Sequence, residues 1–293
     1  NIMDNTTNLQ TAQINFLIQK SAHLQLQGIK EPLLGVKWLD IPNLPTLYWR
    51  NTEQAVPLQV VYYFIATFIE NKGILYTKES STLLSLFDTS SVHIFLDEVI
   101  IRWKKDAKNR WVLGFIALLG QEKYLSILTE LVAYFAGWNS VMSANTVDAM
   151  GLISSKNTLH QLILIREKVE CKATLLACQR ILEKVKSHYN FSTEQLLDYV
   201  IPSFGLSSEN TWLVDYGTRQ FEVTLQQDFH VQVKNIQTQK IYKQLPKIGK
   251  KDNPILLDDS MQYYESNKSN LREEMRRQKT RLLNAFIACR KWE

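Results

Sequence analysis

The chain has 293 residues, 45% of them hydrophobic, with only 10 Gly and 7 Pro; that is enough apolar mass for one large domain or two ordinary ones, excludes global disorder, and favours long helices over tight turns. Its three cysteines are an odd number in a chain too large to need disulfide staples, which argues against a disulfide framework and for a reducing, cytoplasmic compartment. Net charge is +5 but uneven: residues 234–293 hold 14 Lys and Arg against 7 Asp and Glu, so this end can meet nucleic acid, an acidic protein surface, or only water.

Residues 4–28 read as a polar-rich helix with Leu9, Ile14, Leu17, Leu24 and Leu26 as its apolar contacts. The first thirty residues lack a basic start followed by an apolar run, and no stretch approaches 18 consecutive apolar residues. Neither an export signal nor a membrane span is expected. The chain opens on Asn1 and stops at Trp292-Glu293 inside a helical pattern, which reads as a piece of a longer protein. Pro32, Pro42 and Pro45 remove amide donors and bias the residues before them out of the helical region, so 29–54 reads as an extended connector. Its Trp38, Leu39, Ile41, Leu44, Leu47, Tyr48 and Trp49 are too apolar for a free linker and predict contact with a helical body. The N-terminal segment is therefore set at 1–54.

From 55 to about 190 the period is helical, with Pro57 tolerable in a first turn. In 88–105, Val92, Phe95, Leu96, Val99, Ile100 and Trp103 form one stripe of a 3.6-residue period, with Asp88 placed to cap it. Further helices are expected from Trp111 to Gly120, over 122–137 with Tyr124, Leu125, Leu128, Leu131, Val132 and Phe135 inward, and over 141–151, 156–168 and 171–188. Short consecutive helices with short joints are the pattern of helical hairpins. Ala117-Leu118-Leu119-Gly120 is echoed by Ala149-Met150-Gly151-Leu152 and again around Ala177. Such an irregular repeat predicts a HEAT-like α-solenoid over 55–205, the alternative being a compact non-repeating helical domain.

Ser192 with Gln195 three residues later makes a capping box for a short helix ending before Pro202. The period then changes from 3.6 to 2 in Thr211–Tyr216, Arg219–Leu225, Phe229–Asn235 and Gln239–Leu245, which predicts a meander of three or four antiparallel strands. A polar loop at 246–258 leads to a helix from about 259 to beyond 290, with Leu271, Met275, Leu282 and Phe286 as an apolar stripe set to cover the sheet. The predicted fold is thus mainly α: solenoid, small β-meander and long C-terminal helix, the last two in 206–293.

Leu196-Leu197-Asp198-Tyr199-Val200-Ile201-Pro202, Gly205-Leu206, Asp215-Tyr216-Gly217 with Arg219 and Phe221, Leu245-Pro246-Lys247, Asp252, Arg281-Leu282-Leu283 and Arg290-Lys291-Trp292 follow one another in an order that resembles the molybdate metabolism regulator-like large bacterial proteins. These are WGR-associated proteins carrying HEAT-like repeats before a long domain of unknown function. The resemblance implies a regulatory role without any stated chemistry and supplies no catalytic residue.

Cys171 and Cys178 stand seven apart, two helical turns, but no second ligand pair lies at zinc spacing, so they read as packing residues. His23, His93, His160, His188 and His230 are scattered, and no HExxH, phosphate loop or nucleophile elbow occurs. No catalytic, cofactor-binding or metal-ligating residue is assigned, and no cofactor is expected. The most suggestive cluster is Asp215, Tyr216 and Arg219 around Gly217, where an Asp215–Arg219 ion pair would pin a turn. Lys247, Lys250 and Lys251 in the following loop are placed to contact phosphates or a partner. The leading expectation is a protein-interaction scaffold with a protein partner; the alternatives are a regulator touching nucleic acid through the basic end, and part of an enzyme whose site lies elsewhere.

Overall fold

Residues 36–69, 77–227 and 229–291, with isolated positions 12, 15, 16 and 19, are described by a computed structural model. The helix expected over 4–28 lies outside the described residues apart from those four helical positions. The protein is mainly α and divides into two units, Asn1–Ile201 and Pro202–Glu293. The division falls a few residues before the expected 205, because Phe204 belongs with the second unit: its carbonyl accepts the Trp212 Nε1 hydrogen bond at 2.8 Å.

In the first unit the helices are α1 (Leu58–Ile69), α2 (Lys78–Ser85), α3 (Thr89–Trp103), α4 (Trp111–Gly120), α5 (Leu125–Ala136), α6 (Ser140–Met150), α7 (Lys156–Lys168), α8 (Lys172–Tyr189) and α9 (Thr193–Tyr199). Local chemistry starts several of them. The Asp88 carboxylate accepts the Ser91 amide at 2.8 Å at the head of α3, and reciprocal capping boxes join Thr77 to Ser80 and Ser192 to Gln195. The whole predicted stripe of α3 is buried. Consecutive helices pack as pairs, α3 with α4, α5 with α6 and α7 with α8, while α4, α6 and α8 stack on one another and α5 meets α7. This is HEAT-like stacking: each pair buries one face on the next. The echoed alanines Ala117, Ala149 and Ala177 fall on α4, α6 and α8, all buried, so the irregular repeat marks the stacked layer.

Every residue of α4 is buried, as befits a helix apolar all round. From Trp111 to Ala136 the chain is long and apolar enough to cross a membrane by length and composition, which a search for uninterrupted apolar runs overlooks. Its geometry is that of a core. Gln121 at φ 47° and a 3-10 turn over Gln121–Tyr124 separate α4 from α5, and 67% of its most apolar window is buried inside the fold.

The connector is not extended where it is described. It folds into 3-10 turns at Lys37–Leu39 and Ile41–Asn43, hinged on Asp40 at φ 47°, then forms single bridges from Tyr48 to Ala55 and from Trp49 to Phe87. Leu39, Ile41, Leu47 and Trp49 are buried in the helical core. One side chain of α3 holds these turns: Arg102 donates to the carbonyls of Leu39 at 2.6 Å, Asp40 at 3.0 Å and Asn43 at 2.7 Å, and to Glu98 at 2.6 Å. Hydrogen bonds from a charged donor are each worth about 1.5–3 kcal/mol, so Arg102→Met is expected to cost about 2–4 kcal/mol in chemical denaturation. Arg102→Lys should recover only part of it, since a single ammonium cannot span the acceptors a guanidinium fork reaches. Full recovery by lysine would refute the clamp.

The second unit is a four-stranded antiparallel meander, β1 (Thr211–Asp215), β2 (Gln220–Leu225), β3 (Val231–Asn235) and β4 (Ile241–Tyr242), in that order, and the helix α10 (Pro254–Ile287). Trp212, Val214, Phe221, Val223 and Val233 point inward with Tyr216 and Tyr264, while Leu213 is exposed, as alternation requires. Leu257, Met261 and Leu271 of α10 close over this core. The helix begins five residues before the expected 259. Asn253 accepts the amides of Ile255 and Leu256 at 3.0 and 3.3 Å, and proline is well suited to the first helical position after such a cap. The expected stripe is used only in its first half: Leu282, Leu283, Phe286 and Ile287 are exposed. A 34-residue helix rises about 50 Å, whereas the six-residue β2 spans about 20 Å.

Candidate functional site

The turn between β1 and β2 must reverse the chain within a few residues, and Gly217 at φ 83° makes this possible; a Cβ there would lie 2.8 Å from the Asn253 Cβ. Around it, Asp215 accepts the Gly217 amide at 2.7 Å and the Gln220 side-chain amide at 3.0 Å. It does not pair with Arg219 as expected. Strand alternation does not carry across a turn, and Arg219 lies over the rings of Tyr216 and Phe221, at 5.2 and 5.5 Å, reaching Asp252 instead. Its Nε donates to Asp252 Oδ1 at 3.1 Å and its Nη2 donates to Asp252 Oδ2 and, at 3.2 Å, to the Lys247 carbonyl.

Asp252 is the acceptor hub of this junction, taking the Gly249 amide at 2.6 Å and the Thr218 hydroxyl at 2.7 Å as well. The Arg219 hydrogen bond, with the Gly249 amide second, holds its carboxyl well below the usual carboxylate range. Tyr216 donates to the Pro246 carbonyl at 2.7 Å, and burial pushes its phenol up. The chemically suggestive cluster is therefore a staple joining the β1–β2 turn to the loop that starts α10. Lys247, Lys250 and Lys251 stand exposed on this loop, with no ion pair among the described residues.

A depressed folded-state pKa contributes stability above the ordinary carboxylate range and loses it as pH falls through the folded value. The second unit is thus expected to weaken progressively below about pH 4. Arg219→Gln should flatten this acid limb, read by amide exchange in residues 202–291. An unchanged acid limb would remove Asp252 as its source.

Cys171 sits at the head of α8, its thiol lowered by hydrogen bonding to the Thr174 side chain and backbone, while burial pushes Cys178 up to about 11. Among the described residues no group of three His, Cys, Asp or Glu is arranged to hold a metal.

A second surface was not anticipated from the sequence. Between α5 and α6, Tyr134, Trp138 and Val141 are 61%, 58% and 64% exposed, with the two rings 5.7 Å apart. Both rest on the fully buried Phe135, at 5.3 and 5.6 Å, so the pair is held on a rigid base. The available signal was that Tyr134 falls off the inward stripe of α5 and that Trp138 follows just past the end of that helix.

No family model and no solved structure matches the chain. It is similar to a protein of Escherichia coli (strain K12) named uncharacterized protein YehI, at 21% identity over 187 residues, 64% of this chain and 15% of that protein. The chain thus matches only a small part of that relative's length.

Proposed function

We propose that the chain is a protein-interaction scaffold within a larger bacterial protein, of the molybdate metabolism regulator-like kind its motif order resembles. The observation that supports this most is the exposed Tyr134–Trp138 pair seated on Phe135. Large, pre-ordered aromatics at a surface are the groups that dominate binding energy at protein interfaces. A stack of helix pairs holds such a surface rigid, so little ordering entropy is lost on binding. The test is capture of partners by the full chain against Tyr134→Ser/Trp138→Ser. Hot-spot truncation costs at least about 2 kcal/mol, or roughly thirtyfold in affinity, so partners held by the unaltered chain should be lost while circular dichroism stays the same. Equal capture by both would end this reading.

A second reading, nucleic-acid contact, draws on the exposed Lys247, Lys250 and Lys251 of the basic end. Phosphate contacts require steep loss of affinity with salt. Binding of duplex DNA that fell with salt and was abolished by Lys250→Gln/Lys251→Gln would favour it over the scaffold.

A further inference from the structure

The second unit contains a cavity of about 320 Å³ between the far end of the β1–β2 hairpin and the middle of α10. Trp212, Leu225 and Val231 of the sheet and Leu271 and Met275 of the helix form its apolar wall. Its rim is cationic, with Lys243 arriving just after β4 and Lys268 and Arg272 from α10. Phe229, 60% exposed, stands at the mouth beside His230. Among the described residues no carboxylate lines it.

Helical spacing accounts for the placement. Lys268, Leu271, Arg272 and Met275 follow i, i+3, i+4 and i+7, so the two cations lie along the edge of the face that packs toward the sheet, Lys268 half-buried and Arg272 exposed. A lysine stem covering apolar surface with its head in water would account for one of them. It does not account for three cations from two elements converging on one apolar hollow. Lys268 and Arg272 are also like-charged i, i+4 neighbours, an arrangement that by itself destabilises a helix. The Lys268 side chain is only 19% exposed and lies over the Tyr264 ring at 4.9 Å, and its Glu265 partner is 3.5 Å away and 55% exposed. Arg272 and Lys243 have no ion pair among the described residues.

We infer that this cavity binds a small organic anion with a flat apolar body, of the aryl carboxylate class. The wall takes the ring, and the rim neutralises the acid group while relieving the repulsion among its own cations. The volume is at the small end of ligand cavities, which range over about 300–1,000 Å³. It has room for one fused or substituted ring.

The test is calorimetry on the full chain with 1-naphthoate and, as a cation of like shape, 1-naphthylmethylamine. Saturable one-to-one binding of naphthoate and none of the amine is expected. Arg272→Gln and Lys243→Gln, both exposed changes, should each weaken binding at least about tenfold, the scale of one charge-assisted hydrogen bond. Phe229→Ala should weaken it without changing the preference for the anion. Leu282→Ser/Phe286→Ser, on the exposed end of α10, should leave it unaltered. The assignment is overturned if the amine binds equally, if naphthoate does not bind, if affinity survives both cation substitutions, or if only the Leu282/Phe286 change abolishes it. This result is independent of whether Tyr134 and Trp138 recruit a partner.

Discussion

Replacing Phe115 by alanine is expected to destabilise the helical unit by about 3–5 kcal/mol, the range for truncating a fully buried phenylalanine. Phe115 is 0% exposed on a helix with no exposed residue. Its ring lies 4.9 Å from Phe68, 5.6 Å from Phe64, 5.8 Å from Trp111 and 6.3 Å from Phe95. Truncation therefore removes its own transfer free energy and leaves a void lined by rings from α1, α3 and α4. These are rigid groups that cannot collapse far. Geometry-dependent ring contacts add about 0.5–1.5 kcal/mol per pair beyond area burial. Phe115→Leu, which keeps most of the volume, should cost clearly less. Because the chain has two units, a single melting transition does not isolate the loss. Amide exchange within residues 77–200 does, and a change below about 1 kcal/mol there would mean that the aromatic cluster is not the centre of the core.

Phe221→Ala should have a comparable effect on the second unit, about 3–5 kcal/mol, with Arg276→Ala within about 0.5 kcal/mol as its control. Phe221 is 0% exposed in the middle of the meander, with its ring 4.8 Å from Tyr216 and 6.0 Å from Tyr242. A sheet with one apolar face has to bury that face against another element. Here α10 covers it, and the Phe221 ring lies in the layer between. Arg276 is on the exposed side of α10. Exchange in β1 to β3 reports the first substitution. If Arg276→Ala proved the more damaging, α10 would have to face the sheet with its other side.

Much of the architecture was legible because its causes are local. The stripe from Val92 to Trp103, the Asp88 cap, the Ser192–Gln195 box and the alternation through Phe221 and Val223 each depend on residues within a few positions of one another. Periodicity and capping are written at that range. The start of α10 at Pro254 was equally available, since an Asn-Pro pair favours a helix start. It was missed because the surrounding lysines, glycine and aspartate read as loop.

Composition and periodicity thus determined by themselves that the protein is mainly α, with a small antiparallel sheet and a long terminal helix. They also marked the inward sides of α3 and α5. The tertiary structure decided which polar side chains meet. Arg102 reaches carbonyls 59 to 63 residues earlier, and Arg219 reaches Asp252 across 33 residues instead of Asp215 across four. Lys243 joins Lys268 and Arg272 only because β4 and α10 pass the same cavity. The overhang of α10 past the sheet likewise comes from comparing lengths of elements that touch in space. A long flexible cation has many acceptors within reach along the chain. Which one it takes is fixed by the packing of apolar faces around it, and that packing is settled by contacts between distant segments.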